Sequence, residues 1–356
     1  MVDIAVIPGD GIGKEIIPKV CEMLSTIDSS IDFTYYGISS ERYLNKGITI
    51  TDEEIEDLKS YKSILFGAIG DFSVKPGVME QGVILKLRKE LDLYMNIRPA
   101  ISFKAITGNN INMTILRENK EDFYSDISGN FNEHKTFNKS DGFYNYNGDI
   151  NIESDDQIYY TMGFLSRKNL KRFFRSAYKI AGSENITVTD KANAVPMYSL
   201  WREIAMEEAE PFKREIAFEY ADSLAYNMVR NPKKYSYVIA PNLYGDILSD
   251  MASSLTGGLG YAPSGNIGDK NSMFEPVHGS APDIAGKNIA NPVASILSSI
   301  MMLKHINQTE TASIIEKSLE NVIGEGIIPV ESGGHAGTHE FIEKVKNQCS
   351  LLKNEI

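Results

Sequence analysis

Asp246 and Asp250 stand four residues apart in the run Asn242-Leu243-Tyr244-Gly245-Asp246-Ile247-Leu248-Ser249-Asp250. On a helix this spacing puts both carboxylates on one face, with Cβ atoms roughly 5–6 Å apart. Like charges so placed oppose helix formation unless a cation lies between them, and oxygen donors suit Mg²⁺ or Mn²⁺. Taken alone, the pair is better explained as a helix cap followed by a solvated acid. Lys191, in Asp190-Lys191-Ala192-Asn193, follows an apolar run that reads as a buried strand. The carboxyl ends of such strands are where α/β sheets hold ligands. Beside a divalent cation its ammonium form is disfavoured, so it could serve as a base near neutral pH. Taken alone, it is a surface lysine.

Arg88, Arg98 and Arg117 each sit at or near the end of an apolar run. A guanidinium fork suits a carboxylate, and three together would hold a dicarboxylate; singly, each reads as a surface ion pair. The run from Glu275 to Gly286, continued by Asn288 to Pro292, is dense in Gly and Pro with a single histidine, His278, and suggests a shaped loop. Two further patterns mislead. Gly9-Asp10-Gly11-Ile12-Gly13-Lys14 has neither the dinucleotide-loop nor the P-loop spacing, and Glu15 puts negative charge where a phosphate would sit. It reads as a tight strand-to-helix turn that could line a cleft. His335 and His339 lack the intervening glutamate of a zinc helix and read as a helix start and its surface.

The elements that must position these groups alternate. Strand-like runs at Asp3–Ile7, Ile31–Tyr36, Ser63–Phe66, Ile111–Leu116, Ile186–Thr189, Ile216–Tyr220 and Tyr237–Ala240 are interleaved with helical periodicities at 52–60, 81–91, 166–181, 197–208, 222–230, 243–255, 292–304 and 311–322. This predicts an α/β fold with a largely parallel sheet. From Asp126 to Asp156 the chain is rich in Asn, Ser, Asp, Gly and Tyr. It reads as a surface insertion or, given Phe143, Tyr144, Tyr146, Tyr159 and Tyr160, as an arm that pairs with a second subunit. A net charge of -12 over 356 residues argues against a nucleic-acid surface. Two cysteines, Cys21 and Cys349, make a disulfide framework implausible. No run approaches the roughly 20 apolar residues of a membrane span. Met1 to Pro8 reads as a strand and not a leader, so cytoplasmic residence is expected.

Together these segments resemble the isocitrate and isopropylmalate dehydrogenase family of β-decarboxylating dehydrogenases. The likeness runs nearly end to end, through PGDGIG (8–13), LRKELDLYMNIRP (87–99), LRENKEDFY (116–124), DKAN (190–193), Ala221 to Pro232, PNLYGDILSD (241–250), GNIGD (265–269) and EPVHGSAPDIAGKNIANP (275–292). The resemblance implies a two-domain, non-Rossmann α/β fold with a large mixed sheet. Residues 1–100 with 255–356 would form a cofactor-binding domain. Residues 101–254 would form a dimerisation and catalytic domain carrying an arm near 126–160.

It also implies a homodimer with shared active sites. Asp246 and Asp250 would bind Mg²⁺ or Mn²⁺ with Asp222 of the other subunit, Asp222 also facing the substrate. Lys191, likewise from across the interface, would be the base and Tyr124 the acid. Arg88, Arg98 and Arg117 would bind the carboxylates of a 2-hydroxy dicarboxylate. Ile12, His278, Gly279, Ser280, Ala281, Asp283 and Asn291 would bind the cofactor. Asp283 would select NAD, because a carboxylate accepts a ribose hydroxyl and repels a 2′-phosphate.

Members that use isocitrate carry Ser and Asn six and four residues before the first arginine, where this chain has Gly82 and Ile84. Members resembling homoisocitrate dehydrogenase often carry an Arg three residues before it, where Leu85 stands. With Ile84 and Leu85 facing the variable group, an unpartnered third carboxylate would cost several kcal/mol, against about 1–3 kcal/mol for a methylene. The expected substrate is therefore 3-isopropylmalate. Lys120, where the family has Thr or Ser, and Ala194, where it has Val or Ile, leave room for D-malate, tartrate or homoisocitrate. A regulatory paralogue is disfavoured because Tyr124, Lys191, Asp222, Asp246 and Asp250 are all present. An ATPase built on Gly13-Lys14 fails on spacing.

Overall fold

A computed structural model describes residues 2–124, 127–130, 135–140, 145–151, 156 and 158–354. Phe143 and Tyr144 lie outside the described residues. The strands in chain order are β1 (Val2–Gly9), β2 (Ile31–Tyr35), β3 (Ser63–Ala68), β4 (Met95–Ile101), β5 (Asn112–Glu118), β6 (Ser128–Asn130), β7 (Lys135–Ser140), β8 (Asn145–Ile150), β9 (Tyr159–Thr161), β10 (Ile186–Asp190), β11 (Ala217–Tyr220), β12 (Tyr237–Ala240), β13 (Pro263–Ile267) and β14 (Ser272–Pro276).

Ten of them make one sheet in the order β11-β10-β12-β5-β4-β13-β14-β3-β1-β2. At one end β2, β1, β3 and β14 run parallel; at the other β11, β10, β12 and β5 run parallel. Between them β13 and β4 pair antiparallel with their neighbours, so the sheet is mixed. A dinucleotide-type sheet would be parallel across this centre. Within this sheet the central strands β4, β13 and β14 are the ones hydrophobic patterning does not reveal. They are interrupted by Asn96, Arg98, Ser264, Asn266 and Glu275, all buried.

Helices cover the sheet wherever an apolar stripe must be hidden. The helix Arg167–Ala181 buries Leu170, Phe173, Phe174 and Tyr178 against Trp201 of the helix Tyr198–Ala209. The helices Ile12–Ile27, Val293–His305, Thr309–Gly324 and Thr338–Asn354 share one aliphatic core. His339 lies in the first turn of the last of these, as a helix start predicts. Among the described residues no helix is long and apolar enough to cross a membrane.

The Gly9–Gly13 turn bears out the strand-to-helix reading. Gly9 adopts φ +76°, and a Cβ there would lie 1.8 Å from the carbonyl oxygen of Ala68. Asp10 is buried and accepts from Ser40 N (2.9 Å), Ser40 Oγ (2.6 Å) and Gly70 N (3.0 Å), clamping the turn to the loop after β3. The helix begins at Ile12, two residues before the sequence suggests, and the Ile12 N–H donates to Ser280 O at 2.8 Å. Gly9→Ala should therefore destabilise the fold by about 2 kcal/mol or more, since strain and overlap add. Gly47→Ala, at φ +70° with open space around it, should cost about 1 kcal/mol. Denaturant unfolding of both variants checks the order.

Candidate active site

Parallel pairing gathers the chemistry-bearing residues at one edge. Arg117 lies near the carboxyl end of β5, Lys191 just past β10, Asp222 just past β11, and Asp246 in the helix that follows β12. In register, Ala240 faces Arg117 and Asp190 faces Tyr220, so these ends are level. This is the end of an α/β sheet at which ligands bind. Lys191 and Asp222 become neighbours because β10 and β11 pair, and Lys191 Nζ lies 2.7 Å from Asp222 Oδ1. Lys191 is thus not a free surface lysine, and its ammonium holds the Asp222 carboxyl below the usual range.

Asn96 on β4 faces Arg117 on β5, so Arg98, two residues on, emerges on the same face as Arg117. The helix Asn242–Leu255 lies over that face. A Cβ on Gly245 would sit 2.6 Å from Arg117 Cγ, so only glycine lets the guanidinium pass beneath the helix. Arg117 Nε donates to Asn242 O and Oδ1 at 2.9 and 3.0 Å, and its Nη1 reaches Asp246 Oδ1 at 2.5 Å. Arg98 Nη1 lies 2.8 Å from Ser249 Oγ, 3.1 Å from Asp246 Oδ1 and 3.4 Å from Asp250 Oδ1. Tyr124 donates its hydroxyl to Asp246 Oδ2 at 3.0 Å, with Arg117 5.4 Å from its ring centroid. Asp246 lies in the second helical turn, so the capping reading does not hold; Asp250 one turn on is exposed, as a solvated acid would be, and is also paired with Arg98.

The arginines are not surface pairs. Arg88, Arg98 and Arg117 are between 1% and 8% exposed. Arg88 Nη2 meets Glu275 Oε1 at 3.2 Å, and its Nε is buried without a partner. Glu275, Asn96, Asn266 and Ser249 hold the guanidinium cluster; Asn266 Nδ2 donates to Glu275 Oε1 at 2.8 Å. None of these four was singled out from sequence. The one signal for them is polar side chains interrupting strand-like runs. Burial, with Arg98 beside it, brings the Arg117 guanidinium down to about 9. Burial by itself would raise the Asp246 carboxyl, but Arg117 and Arg98 override this and hold it below the usual range. Asp250 goes the other way, raised by burial that Arg98 only partly offsets, with Asp246 adding to the rise.

The donor set fits a divalent cation. Two hard oxygen groups one turn apart already share a cation, the Arg98 guanidinium, and the raised Asp250 is a carboxylate whose ionised form a metal would favour. Among the described residues of one chain, no three acids, histidines or cysteines come together to hold a metal. The Lys191–Asp222 pair therefore stands apart from Asp246 and Asp250.

The 278–291 loop packs on the Gly9–Gly13 turn. A cavity of about 410 Å³ separates Gly279–Asp283 from the loop at 69–80. Asp283, Gly279, Ser280 and Ala281 line it, and Ser280 Oγ donates to Gly70 O at 2.5 Å. The His278 ring is 3.0 Å from Gly279 O through Nδ1, and its buried Nε2 has no partner. Burial lowers the His278 pKa, leaving a neutral ring whose Nε2 could accept from a ligand N–H or O–H. Ile12 and Asn291 fit less directly. The Ile12 side chain is in the core, and Asn291 bonds Val293 N, Glu331 and Ser332.

A second cavity, of about 610 Å³, opens beside Arg88 and Tyr124 and is lined by Leu85 and Gln81. A π turn over Glu80–Leu85 puts these two on one side, while Ile84 packs inward with Val83 and Leu87. Of Ile84 and Leu85, both expected to face the substrate's variable group, only Leu85 lines this cavity, with the amide of Gln81 beside it. Lys120 also lines this cavity, paired with Asp92 at 2.5 Å; Asp92 in turn takes both Arg172 Nη1 and Nη2.

The isocitrate/isopropylmalate dehydrogenase family model matches residues 3–345. The chain belongs to this family. It is 36% identical to the 3-isopropylmalate/3-methylmalate dehydrogenase of Methanocaldococcus jannaschii, with 96% of this chain and 97% of that one aligned. It is 33% identical to a probable tartrate dehydrogenase/decarboxylase of Bacillus subtilis, over 99% and 98%. Among solved structures it matches the isocitrate dehydrogenase of Methylococcus capsulatus with a TM-score of 0.85 at 30% identity, covering 98% and 99%. The fold is thus that of the family, and the chain is an oxidative, β-decarboxylating dehydrogenase.

Asp246→Asn should leave two buried guanidiniums without their shared anion and cost the metal-free protein about 2 kcal/mol, the effect of breaking a buried pair reduced for partial exposure. Asp250→Asn should cost little. The Asp246 contribution is complete above the unfolded carboxyl value of about 4 and is lost as pH falls through the lower folded value. Unfolding free energies of wild type and Asp246→Asn, measured against pH, should converge only in acid.

Proposed function

We propose that this protein oxidises and decarboxylates 3-isopropylmalate to 2-oxo-4-methylpentanoate and CO₂ with NAD and Mg²⁺ or Mn²⁺, a step of leucine biosynthesis. The observation that carries the reading is the buried Arg88–Arg98–Arg117 cluster facing Asp246 and Tyr124, next to a cavity whose side wall is Leu85. Guanidiniums anchor the two carboxylates that all family substrates share. Leu85 offers the third substituent no charge, which supports an alkyl group over the carboxymethyl group of isocitrate. The name of the M. jannaschii relative, covering two alkylmalates, supports the same reading.

In this reading residues 1–100 and 255–356 hold the cofactor, and residues 101–254 make the contact of a homodimer. Asp246 and Asp250 of one subunit meet Asp222 and Lys191 of the other. When bound, the cation supplies Lewis-acid polarisation of the C2 oxygen and the nicotinamide accepts the hydride. Lys191 takes the C2 hydroxyl proton at Nζ. In the separate chain its Nζ is engaged by Asp222 at 2.7 Å, and a cation sharing Asp222 would release it toward the substrate. Arg88, Arg98 and Arg117 orient the dicarboxylate, and the Tyr124 hydroxyl returns a proton to C3 after CO₂ leaves. Asp283 accepts from the adenosine ribose and disfavours a 2′-phosphate.

NAD reduction should be fastest with 3-isopropylmalate and at least about 100-fold weaker in kcat/KM with isocitrate, since an unpaired buried carboxylate exceeds the cost of a methylene. EDTA should abolish it. Faster turnover of isocitrate, homoisocitrate, D-malate or tartrate would refute the substrate assignment.

The shared site has its own test. Asp246→Asn and Lys191→Met should each be inactive alone. Unfolded and refolded together they should recover about a quarter of wild-type activity, because half of the dimers are mixed and each mixed dimer has one intact site. No recovery would place each site within one chain.

A further inference from the structure

The insertion between Asp126 and Asp156 has no role in the chemistry above, yet it reaches the substrate cavity. Its base is closed by β6 and β9, paired antiparallel with Ser128 opposite Thr161. Its middle is a hairpin of β7 and β8 that sets Tyr146 opposite Lys139. Tyr146 points back onto its own chain and stacks on Phe164, with ring centroids 4.8 Å apart at 34°. Phe164 is fixed by a two-bond bridge to Asp122: Asp122 N donates to Phe164 O at 2.8 Å, and Phe164 N donates to Asp122 O at 3.2 Å. The result is an apolar wall of Tyr146, Phe164 and Ile127, facing Leu85, Arg88 and Tyr124 across the 610 Å³ cavity.

We propose that Tyr146 is a specificity-determining residue: its ring closes the apolar end of the cavity over the C3 substituent, so the enzyme prefers 2-hydroxy dicarboxylates with a branched alkyl group at C3. The inference rests on the proposed alkylmalate reading and names a residue that the reading does not need. The chemistry of the wall selects the class. Aromatic faces and Ile127 have no donor for a carboxylate, and an aromatic face carries partial negative charge. Two of the three lysines that line the cavity are already matched, Lys86 by Asp52 at 2.9 Å and Lys120 by Asp92 at 2.5 Å, and among the described residues Lys89 is left as the one without an ion pair. Removing the ring would open this end to water and take away the surface on which an alkyl group is buried, while leaving the arginine anchors alone.

The test compares Tyr146→Ala and Tyr146→Phe with wild type on 3-isopropylmalate and on D-malate, which keeps both carboxylates and lacks the C3 group. Kinetics are run beside calorimetric binding of the two acids. Tyr146→Ala should lose about tenfold in kcat/KM on 3-isopropylmalate, mostly through KM, and change by less than about twofold on D-malate. Tyr146→Phe should match wild type on both, because the ring and not the hydroxyl makes the wall. Equal loss on both acids, no loss on either, or failure of Tyr146→Phe to restore the alkyl preference would overturn the proposal. If wild type binds the alkyl acid more tightly in a Tyr146-dependent way without oxidising it, the substrate assignment fails and the wall stands. Turnover with an alkyl preference indifferent to Tyr146 gives the reverse. No alkyl preference in wild-type binding overturns both.

Discussion

One carboxylate holds the site together. Asp246 accepts from Arg117 and Tyr124 and is ion-paired with Arg98, and those three side chains come from β5, the segment after β5 and β4. Two guanidiniums this deeply buried repel each other and lose most of their hydration, which is why Arg117 is brought down to about 9. Removing water from two cations is tolerable only with a shared anion in place. The antiparallel β4–β5 register puts both arginines on one face, and the absence of a side chain at Gly245 lets the helix bring Asp246 down to them. Sheet register, helix packing and electrostatics are thus one constraint seen from three sides.

The same constraint is suited to binding. The buried guanidiniums leave a donor for a further anion: Arg88, paired with Glu275 through Nη2, keeps a buried Nε without a partner. Asp246, Asp250 and Glu275 already match the three guanidiniums in number, so a dicarboxylate would bring two further negative charges that a divalent cation would offset. Moving Arg98 out from between Asp246 and Asp250 toward such an anion would leave two carboxylates facing each other with no cation between them. Substrate and divalent ion would then favour each other's binding, each removing a like-charge penalty that the other creates.

Much of this was legible in the sequence, for identifiable reasons. Tyr237–Ala240 is apolar on both faces, Ile186–Asp190 is a β-branched run buried throughout, and the helix Asn242–Leu255 is periodic over all but its first residue. Strands β4, β13 and β14 escaped because their buried positions carry Asn, Arg, Ser and Glu, which a pattern reading assigns to loops. Those are the strands that build the arginine cluster, so the polar residues that hide them from pattern are the ones the site requires. The direction of Ile84 was missed for another reason. An ordinary helical period misplaces side chains across the π turn at Glu80–Leu85, and periodicity cannot report an extra residue in a turn. The Asn-rich insertion was legible as an insertion but not as a cavity wall, since the stacking of Tyr146 on β8 with Phe164 beyond β9 leaves no local signal.

The placement of Lys191 and Asp222 completes the physical picture. They lie at the carboxyl ends of β10 and β11, at the outer edge of the sheet, paired with each other, and not beside Asp246 and Asp250. Within one chain, then, the acid group Tyr124 sits with the anchors, and the lysine sits apart with a carboxylate of its own. A lysine so placed has its Nζ engaged by Asp222. A cation bound to Asp222 would compete for that contact, and the two carboxylates best placed to share such a cation belong to the Asp246 half. If the halves meet only between subunits, anchors and lysine come together only when the site is assembled, and the sheet edge that carries β11 and β10 would bring them together.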